Sequence, residues 1–346
     1  MSNRMQDHMS DRASHRMSHR RVKTLMAAVA VVAATLASAL PAEATSTRPT
    51  RDPLTDVRIA THFDVSAGQL PENIALLPDG TAAVTFAASR QVAEVGPQGA
   101  TRVLATLPAP ADGGADTPAL GFPLATGIAR TPDGTLYVLY ATGTADLTGL
   151  WRLRPGKAPQ RIAALPADGL PNGLALDEHG KHLYITDSVL GTVWTVPVTG
   201  GTPTAWSTAP ELAPAGFLGV NGAKVRDGAL WVTNLDRGTL LRIPIRPGNR
   251  AGTPQVRASD PDLAGIDDFA FTGHGEDVLA TLNTTNRVVL IRSDGTRTTV
   301  LDTADGLQNP SSVALRGKEV YVLSAAYATA TDPNLLRARL RGHGHR

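Results

Sequence analysis

Residues 172–187 read NGLALDEHGKHLYITD. An oxygen-bearing anchor is followed by a short apolar strand, a turn built on Gly and a second strand of alternating apolar residues. The same phrase recurs as ENIALLPDGTAAVTF from Glu72, TGIARTPDGTLYVLY from Thr126, NGAKVRDGALWVTN from Asn221, DDFAFTGHGEDVLATL from Asp267 and NPSSVALRGKEVYVLS from Asn309. Successive anchors lie 54, 46, 49, 46 and 42 residues apart, the length of one four-stranded propeller blade.

Outward from each phrase, two more strands per repeat follow by period-two alternation of Val, Ile, Leu, Tyr and Trp, broken by Gly, Pro and Asp. Third strands align as QVAEVG, GLWRLR, TVWTVP, TLLRIP, RVVLIR and LLRARL. Fourth strands align as TRVLATL, QRIAALP, TPTAWST, TPQVRAS and TRTTVLD, which leaves the sixth repeat one strand short. A spare segment, DVRIATHFD (56–64), is available at the other end of the propeller sequence. Placed as the outer strand of the last blade it closes the ring and protects an otherwise open edge. The expected fold is all-β: a six-bladed β-propeller of four-stranded antiparallel blades over 55–340, closed by an N-terminal strand. The aromatic residues in LYVLY, HLYITD, LWVTN, LWRL and TVWTV fall at alternating strand positions and read as core between blades.

Residues 1–44 form a leader. A basic, polar stretch ends in Arg20, Arg21 and Lys23, an uncharged run extends from Leu25 to Leu40, and Ala42-Glu43-Ala44 is a small-x-small cleavage signature. This pattern reads as a secretory signal peptide, with an uncleaved anchor as the alternative and the Arg20-Arg21 pair admitting twin-arginine export. It predicts a secreted protein with a flexible mature N-terminus (45–54) and a disordered tail (341–346). The leader holds six Lys/Arg and three Asp/Glu, leaving 27 basic and 28 acidic residues in the remainder. With the basicity in the leader and no Lys/Arg cluster elsewhere, neither nucleic acid nor, after cleavage, a membrane is an expected partner; a monomer acting on a small molecule is. The absence of Cys excludes disulfides, thiolate zinc sites and a cysteine nucleophile.

In a propeller the innermost strand of each blade borders the central channel, so residues of one phase converge near the axis. Glu72, Asn172, Asn221 and Asp267 would there present two carboxylates and two amides, with Thr126 and Asn309 beside them. Calcium takes six to eight oxygen ligands of these kinds, so one central divalent ion is expected, the alternative being a purely structural polar ring. Asn-Gly at 172–173 and 221–222 is also a common turn dipeptide, but here it falls one strand before the hairpin turn. Two long loops, 108–123 and 209–218, run toward the anchor face and either shape a ligand pocket or merely vary in length.

These motifs resemble the calcium-dependent six-bladed propeller hydrolases: the regucalcin/gluconolactonase family, diisopropylfluorophosphatase and the paraoxonases. The matching positions are Glu72 in PENIAL, Asn172 in PNGLALDEHGKHLYITDS, Asn221 in VNGAKV and Asp267 in GIDDFAF. The resemblance implies a central calcium on these four residues and hydrolysis of a lactone or similar ester. It also implies a His general base on the second blade, where this chain has Thr126, a residue unable to do that work near neutral pH. His62, His179, His182 and His274 fall in the closing strand or at hairpin turns. A His-free route would use the metal to polarise a carbonyl and Asp267 as nucleophile or general base. Asn309, Ser311 and Thr126 would orient substrate. Asp268, turned away by strand alternation, ranks below Asp267, and Asp187 either supports its neighbours or caps a turn. Two rival readings are a non-catalytic extracellular binding propeller and a strictosidine synthase type of condensation.

Overall fold

The computed structural model describes residues 53–341; the expected signal peptide, most of the expected flexible N-terminus and nearly all of the expected tail lie outside the described residues. Six antiparallel sheets form a ring. The inner strands of blades 1 to 6 are Pro71–Leu76, Leu124–Arg130, Pro171–Leu176, Val220–Arg226, Ile266–Phe271 and Pro310–Arg316. Each is followed outward by the strands the alternation predicts, and blade 4 carries one further short strand, Arg250–Ala251. The strand Leu54–His62 pairs antiparallel with Asn334–Leu340, from Leu54 opposite Leu340 to His62 opposite Asn334. It is the outer strand of blade 6, so the ring closes between the two ends of the propeller segment as expected.

The core follows the same division. Six apolar clusters each join two neighbouring blades, around Val92 and Tyr140, Leu139 and Ile185, Tyr184 and Leu230, Trp231 and Phe269, Leu279 and Val322, and Tyr321 and Phe86. The aromatic residues sit where predicted: Tyr184 meets Trp206 edge-on at 4.9 Å, and Trp231 meets Phe271 at 5.2 Å. Edge-to-face pairs of this kind add to the area each ring buries.

Each inner strand breaks register with its neighbour at one place. The shifts fall between Pro71 and Ile74, Ala125 and Ile128, Pro171 and Leu174, Val220 and Ala223, Ile266 and Phe269, and Pro310 and Ser312. A bulge leaves ladder groups unpaired and re-aims side chains, and here a hydroxyl on the second strand takes up the loose groups. Thr85, Thr186, Thr233 and Thr281 accept from the backbone N–H of Asn73, Gly173, Gly222 and Asp268, at 3.0, 2.7, 2.8 and 3.0 Å. The same four hydroxyls reach across to the backbone carbonyl of the next blade, at Thr126, Asn221, Asp267 and Ser311.

Blades 2 and 6 carry Leu139 and Leu323 at that second-strand position. There the inner-strand hydroxyl does the job itself: Thr126 Oγ1 donates to Pro171 O at 2.8 Å and Ser311 Oγ to Pro71 O at 2.9 Å. Every interface in the ring thus has at least one buried hydroxyl directed across it as a clasp. Blades 3 and 4 share a second, Ser188 Oγ to Val220 O at 2.8 Å, and Thr281 lies nearer to Asp268 O of its own blade, at 3.0 Å, than to Ser311 O, at 3.4 Å. Replacing Thr233 by the isosteric Val leaves the Gly222 N–H and the Asp267 carbonyl without this partner. The expected loss is about 1–3 kcal/mol in urea denaturation; an unchanged midpoint would show that the clasp contributes nothing.

Candidate functional site

The bulges sit at the first five anchors and turn their side chains toward the axis. Glu72, Thr126, Asn172, Asn221, Asp267 and Asn309 all border one cavity of about 510 Å³ at the centre of the ring. All six are buried. The Asn-Gly pairs form no hairpin turn. A Cβ on Gly127, Gly173 or Gly222 would lie 2.4, 2.2 or 2.7 Å from the carbonyl oxygen of Asn172, Asn221 or Asp267 in the next blade. Glycine is required because neighbouring inner strands approach too closely for any side chain.

The register corrects the sixth anchor. Pro310 stands opposite Ser324 as Pro171 stands opposite Asp187 and Pro71 opposite Phe86, so the residue in phase is Ser311 and not Asn309. The Pro shared by PENIAL, PNGLAL and PSSVAL is the signal that carries this alignment. Ser311 is not brought into the cavity as a substrate-orienting group; its hydroxyl closes the interface between blades 6 and 1. Asn309 precedes the strand in left-handed conformation, with φ of 49°. Its amide nitrogen donates to Asn283 O at 3.1 Å and its amide oxygen accepts from Ala328 N at 2.9 Å. Thr126 borders the cavity, but its proton is committed to Pro171, leaving the oxygen as an acceptor only.

Four anchors therefore border the cavity floor without serving as clasps, two carboxylates and two amides: Glu72, Asn172, Asn221 and Asp267. Asp267 accepts from Asn283 Nδ2 at 3.1 Å, and Asn221 also hydrogen-bonds to it. Glu72 accepts from the phenol of Tyr327. Burial pushes the Glu72 carboxyl from its usual 4.5 up to about 7, against the Tyr327 hydrogen bond and with a further upward push from the Asp268 charge. Asp267 is raised well above the usual carboxylate range, by burial first, then by the charges of Glu72 and Asp268. Burial and the Glu72 carboxylate likewise raise the Tyr327 phenol far above its usual value. Both carboxylates are penalised as anions because they are dry and near other negative charge.

A divalent cation would relieve that penalty, and the donor set suits a hard one: two carboxylates and two amides, no nitrogen or sulfur ligand. Among the described residues no group of three His, Cys, Asp or Glu forms a metal site, so any cation here relies on the Asn amides. Asp268 faces away from the cavity, as its place on the strand predicts. It accepts from Lys224 Nζ and Ser312 Oγ, each at 2.6 Å, and so ties blades 4, 5 and 6 together. Asp187 caps the turn that follows it, accepting from the N–H of Leu170, Val189 and Leu190. No His borders the cavity among the described residues; His62 lies against Asp332 and His182 against Asp177.

Tyr327 and Asn283 were not singled out in the sequence. Both lie in loops outside the repeated phrase, Tyr327 between the second and third strands of blade 6, where no counterpart in other blades draws attention to it. The two long loops do line the cavity, through Leu120 and Phe122 from one and 215–218 from the other.

No protein-family model and no curated protein matches the sequence, whereas solved structures match the fold. The calcium-binding protein regucalcin from Agrobacterium tumefaciens is 16% identical over 83% of this chain and 96% of its own, with a TM-score of 0.59. A gluconolactonase from Xanthomonas campestris is 15% identical over 85% and 99%, with a TM-score of 0.58. Virginiamycin B lyase from Staphylococcus aureus is 15% identical over 79% and 82%, with a TM-score of 0.56. At such identities the likeness is one of architecture: the chain shares its propeller fold with regucalcin- and gluconolactonase-type structures.

Proposed function

We propose that this chain is an exported calcium-dependent hydrolase acting on a lactone or similar ester. The observation that carries the reading is the convergence of Glu72, Asn172, Asn221 and Asp267 on one cavity floor, with both carboxylates held at a cost that a cation would remove. Calcium bound there would polarise an ester carbonyl and lower the pKa of a water. Asp267, steadied by Asn283 and Asn221, would take a proton from the water as its oxygen adds to the carbonyl carbon and return it to the alkoxide released when the acyl C–O bond breaks. Alternatively its carboxylate would add to that carbon, expel the same alkoxide and leave an anhydride that water hydrolyses. Tyr327, a donor across the physiological range, holds the Glu72 carboxylate in place. Thr126 supplies no base, so the proton must pass through a carboxylate and not through an imidazole.

A second reading, a non-catalytic binding propeller, is favoured by the lack of any His at the cavity among the described residues and by the commitment of the Thr126 hydroxyl to the next blade. Calorimetric titration of chelator-treated protein with calcium, paired with a lactone and ester panel, separates the two. One-site binding is expected, weakened in Glu72→Ala and Asp267→Ala by at least about 100-fold, since even supporting residues around a metal are worth 10–100-fold. Hydrolysis should need calcium and vanish in Asp267→Ala. Calcium binding without turnover of any panel member would leave the binding propeller, and no binding by the unaltered protein would remove the hydrolase reading.

A further inference from the structure

Six of the apolar clusters lie between adjacent blades, but a seventh belongs to no interface. It joins Leu124 of blade 2, Leu170 before blade 3 and Leu218 before blade 4, with Leu120, Phe217 and Leu235 packed against it. All six of these residues also border the central cavity. The cavity therefore has an oxygen-bearing floor on the inner strands and an apolar wall built by the long loops together with Leu124, Leu170 and Leu235. Asp236 and Thr284 also border it, with the Asp236 carboxylate held by backbone N–H groups and the Thr284 hydroxyl donating to Ala264 O. Among the described residues, none that borders it is Lys, Arg or His.

The wall is held in place. The Asp236 carboxylate accepts from the backbone N–H of Ala215 and Phe217, each at 2.8 Å, which fixes the loop that carries Phe217. Asn234 donates to the carbonyls of Glu211 and Ala213 at 3.0 and 3.1 Å and secures the same loop upstream. The other loop rests against Gly143, where a Cβ would fall 2.1 Å from the Asp116 carbonyl carbon. Phe122 at its end is 5% exposed. This is a prebuilt surface, not side chains that happen to face a gap.

We infer that the cavity takes a neutral, largely apolar ligand with one compact oxygen-bearing head, and that it discriminates against sugar lactones. The inference rests on the proposed hydrolase reading only for the direction of entry, head toward the floor. A hydrocarbon tail gains by leaving water against the Leu and Phe wall, about fourfold in affinity for each methylene buried. A polyol would place hydroxyls on that wall with nothing to replace their water, at a cost of roughly tenfold for each one left unpaired. Among the described residues no cationic side chain borders the cavity to neutralise a phosphate or a sugar acid.

The test uses non-hydrolysable probes so that binding is read apart from turnover. The calcium-loaded protein is titrated by calorimetry with 2-alkylcyclopentanones lengthened one methylene at a time, and with gluconolactam. Affinity for the ketones should climb about fourfold per methylene until the wall is filled, and gluconolactam should bind at least about tenfold more weakly than the longest ketone. Phe217→Ser and Leu120→Ser should each flatten the chain-length dependence while calcium binding stays unchanged. A chain-length series that is flat in the unaltered protein, or gluconolactam binding as tightly as the ketones, overturns the inference. Ketone binding with no hydrolysis of any lactone would uphold it and reject the hydrolase; calcium-dependent hydrolysis of gluconolactone without ketone binding would do the reverse.

Discussion

Replacing Leu54–His62 with a Gly/Ser linker of equal length is expected to abolish cooperative folding of the propeller. That strand is the outer member of blade 6, and the chain passes directly from it into blade 1. Leu54 is buried in the cluster between blades 5 and 6. Just beyond the strand, Phe63 donates its N–H to Pro333 O at 2.7 Å and packs edge-on against Phe86 of blade 1 at 4.9 Å. Without the strand, Asn334–Leu340 becomes an open edge that invites pairing between molecules. The covalent tie between blades 6 and 1 also loses its anchorage, so that interface then rests on non-covalent contacts alone: the Ser311 clasp, one apolar cluster and hydrogen bonds such as Tyr327 to Glu72 and Arg316 to Pro78 O. The loss is on the order of 5 kcal/mol or more, comparable with the whole stability of a domain. Urea denaturation followed by circular dichroism, with size-exclusion chromatography, reads the result. A monomer unfolding at the original midpoint would show that the ring does not depend on its closing strand.

Asp267→Asn is expected to make the metal-free protein more stable at pH 8 while removing its response to calcium. In the folded protein Glu72 titrates at about 7, against 4.5 when unperturbed, and Asp267 is raised well above its usual value. A folded-state pKa above the unfolded value means that the native state holds a proton which the unfolded chain has released. Stability is then full below about pH 4.5 and is lost as pH rises through 7; for Glu72 alone the loss amounts to roughly 3 kcal/mol. Asn at 267 keeps an oxygen for Asn283 while removing the buried carboxyl whose own upward shift contributes to the loss. The midpoint of the metal-free variant should therefore fall less steeply between pH 5 and pH 8, values chosen to span about the Glu72 titration. Calcium should raise the midpoint of the unaltered protein with increasing concentration and leave the variant's unmoved. A variant that is less stable at pH 8, or still stabilised by calcium, would show that Asp267 is not the buried charge the cation compensates.

The two predictions concern features of unequal legibility. Ring closure was visible in a count: five fourth strands, six repeats and one spare segment. The ligand-like anchors were visible as phase. For Glu72, Asn172, Asn221 and Asp267 the phase was right, because each follows directly on the strand residue that enters the bulge. It failed at Asn309, where an Asn two residues early imitates the anchor and the true position holds Ser311. The four second-strand Thr residues stand in plain view in VTF, ITD, VTN and ATL. Their purpose was hidden, since a hydroxyl that completes a bulge and reaches the next blade makes sense only once two blades are side by side.

What the sequence determined by itself is whatever depends on period: strand alternation, six repeats near 47 residues, and one set of oxygen-bearing residues brought round to the same place. Periodicity is a local property, and local hydrophobic patterning suffices to declare it. Tertiary structure alone decided which anchors face the cavity and which are spent on holding blades together, because one hydroxyl proton can satisfy only one acceptor. It also decided that Tyr327 reaches Glu72, and that two loops without repeat partners meet as an apolar wall. Those contacts join residues far apart in the chain whose proximity exists only after the ring has closed.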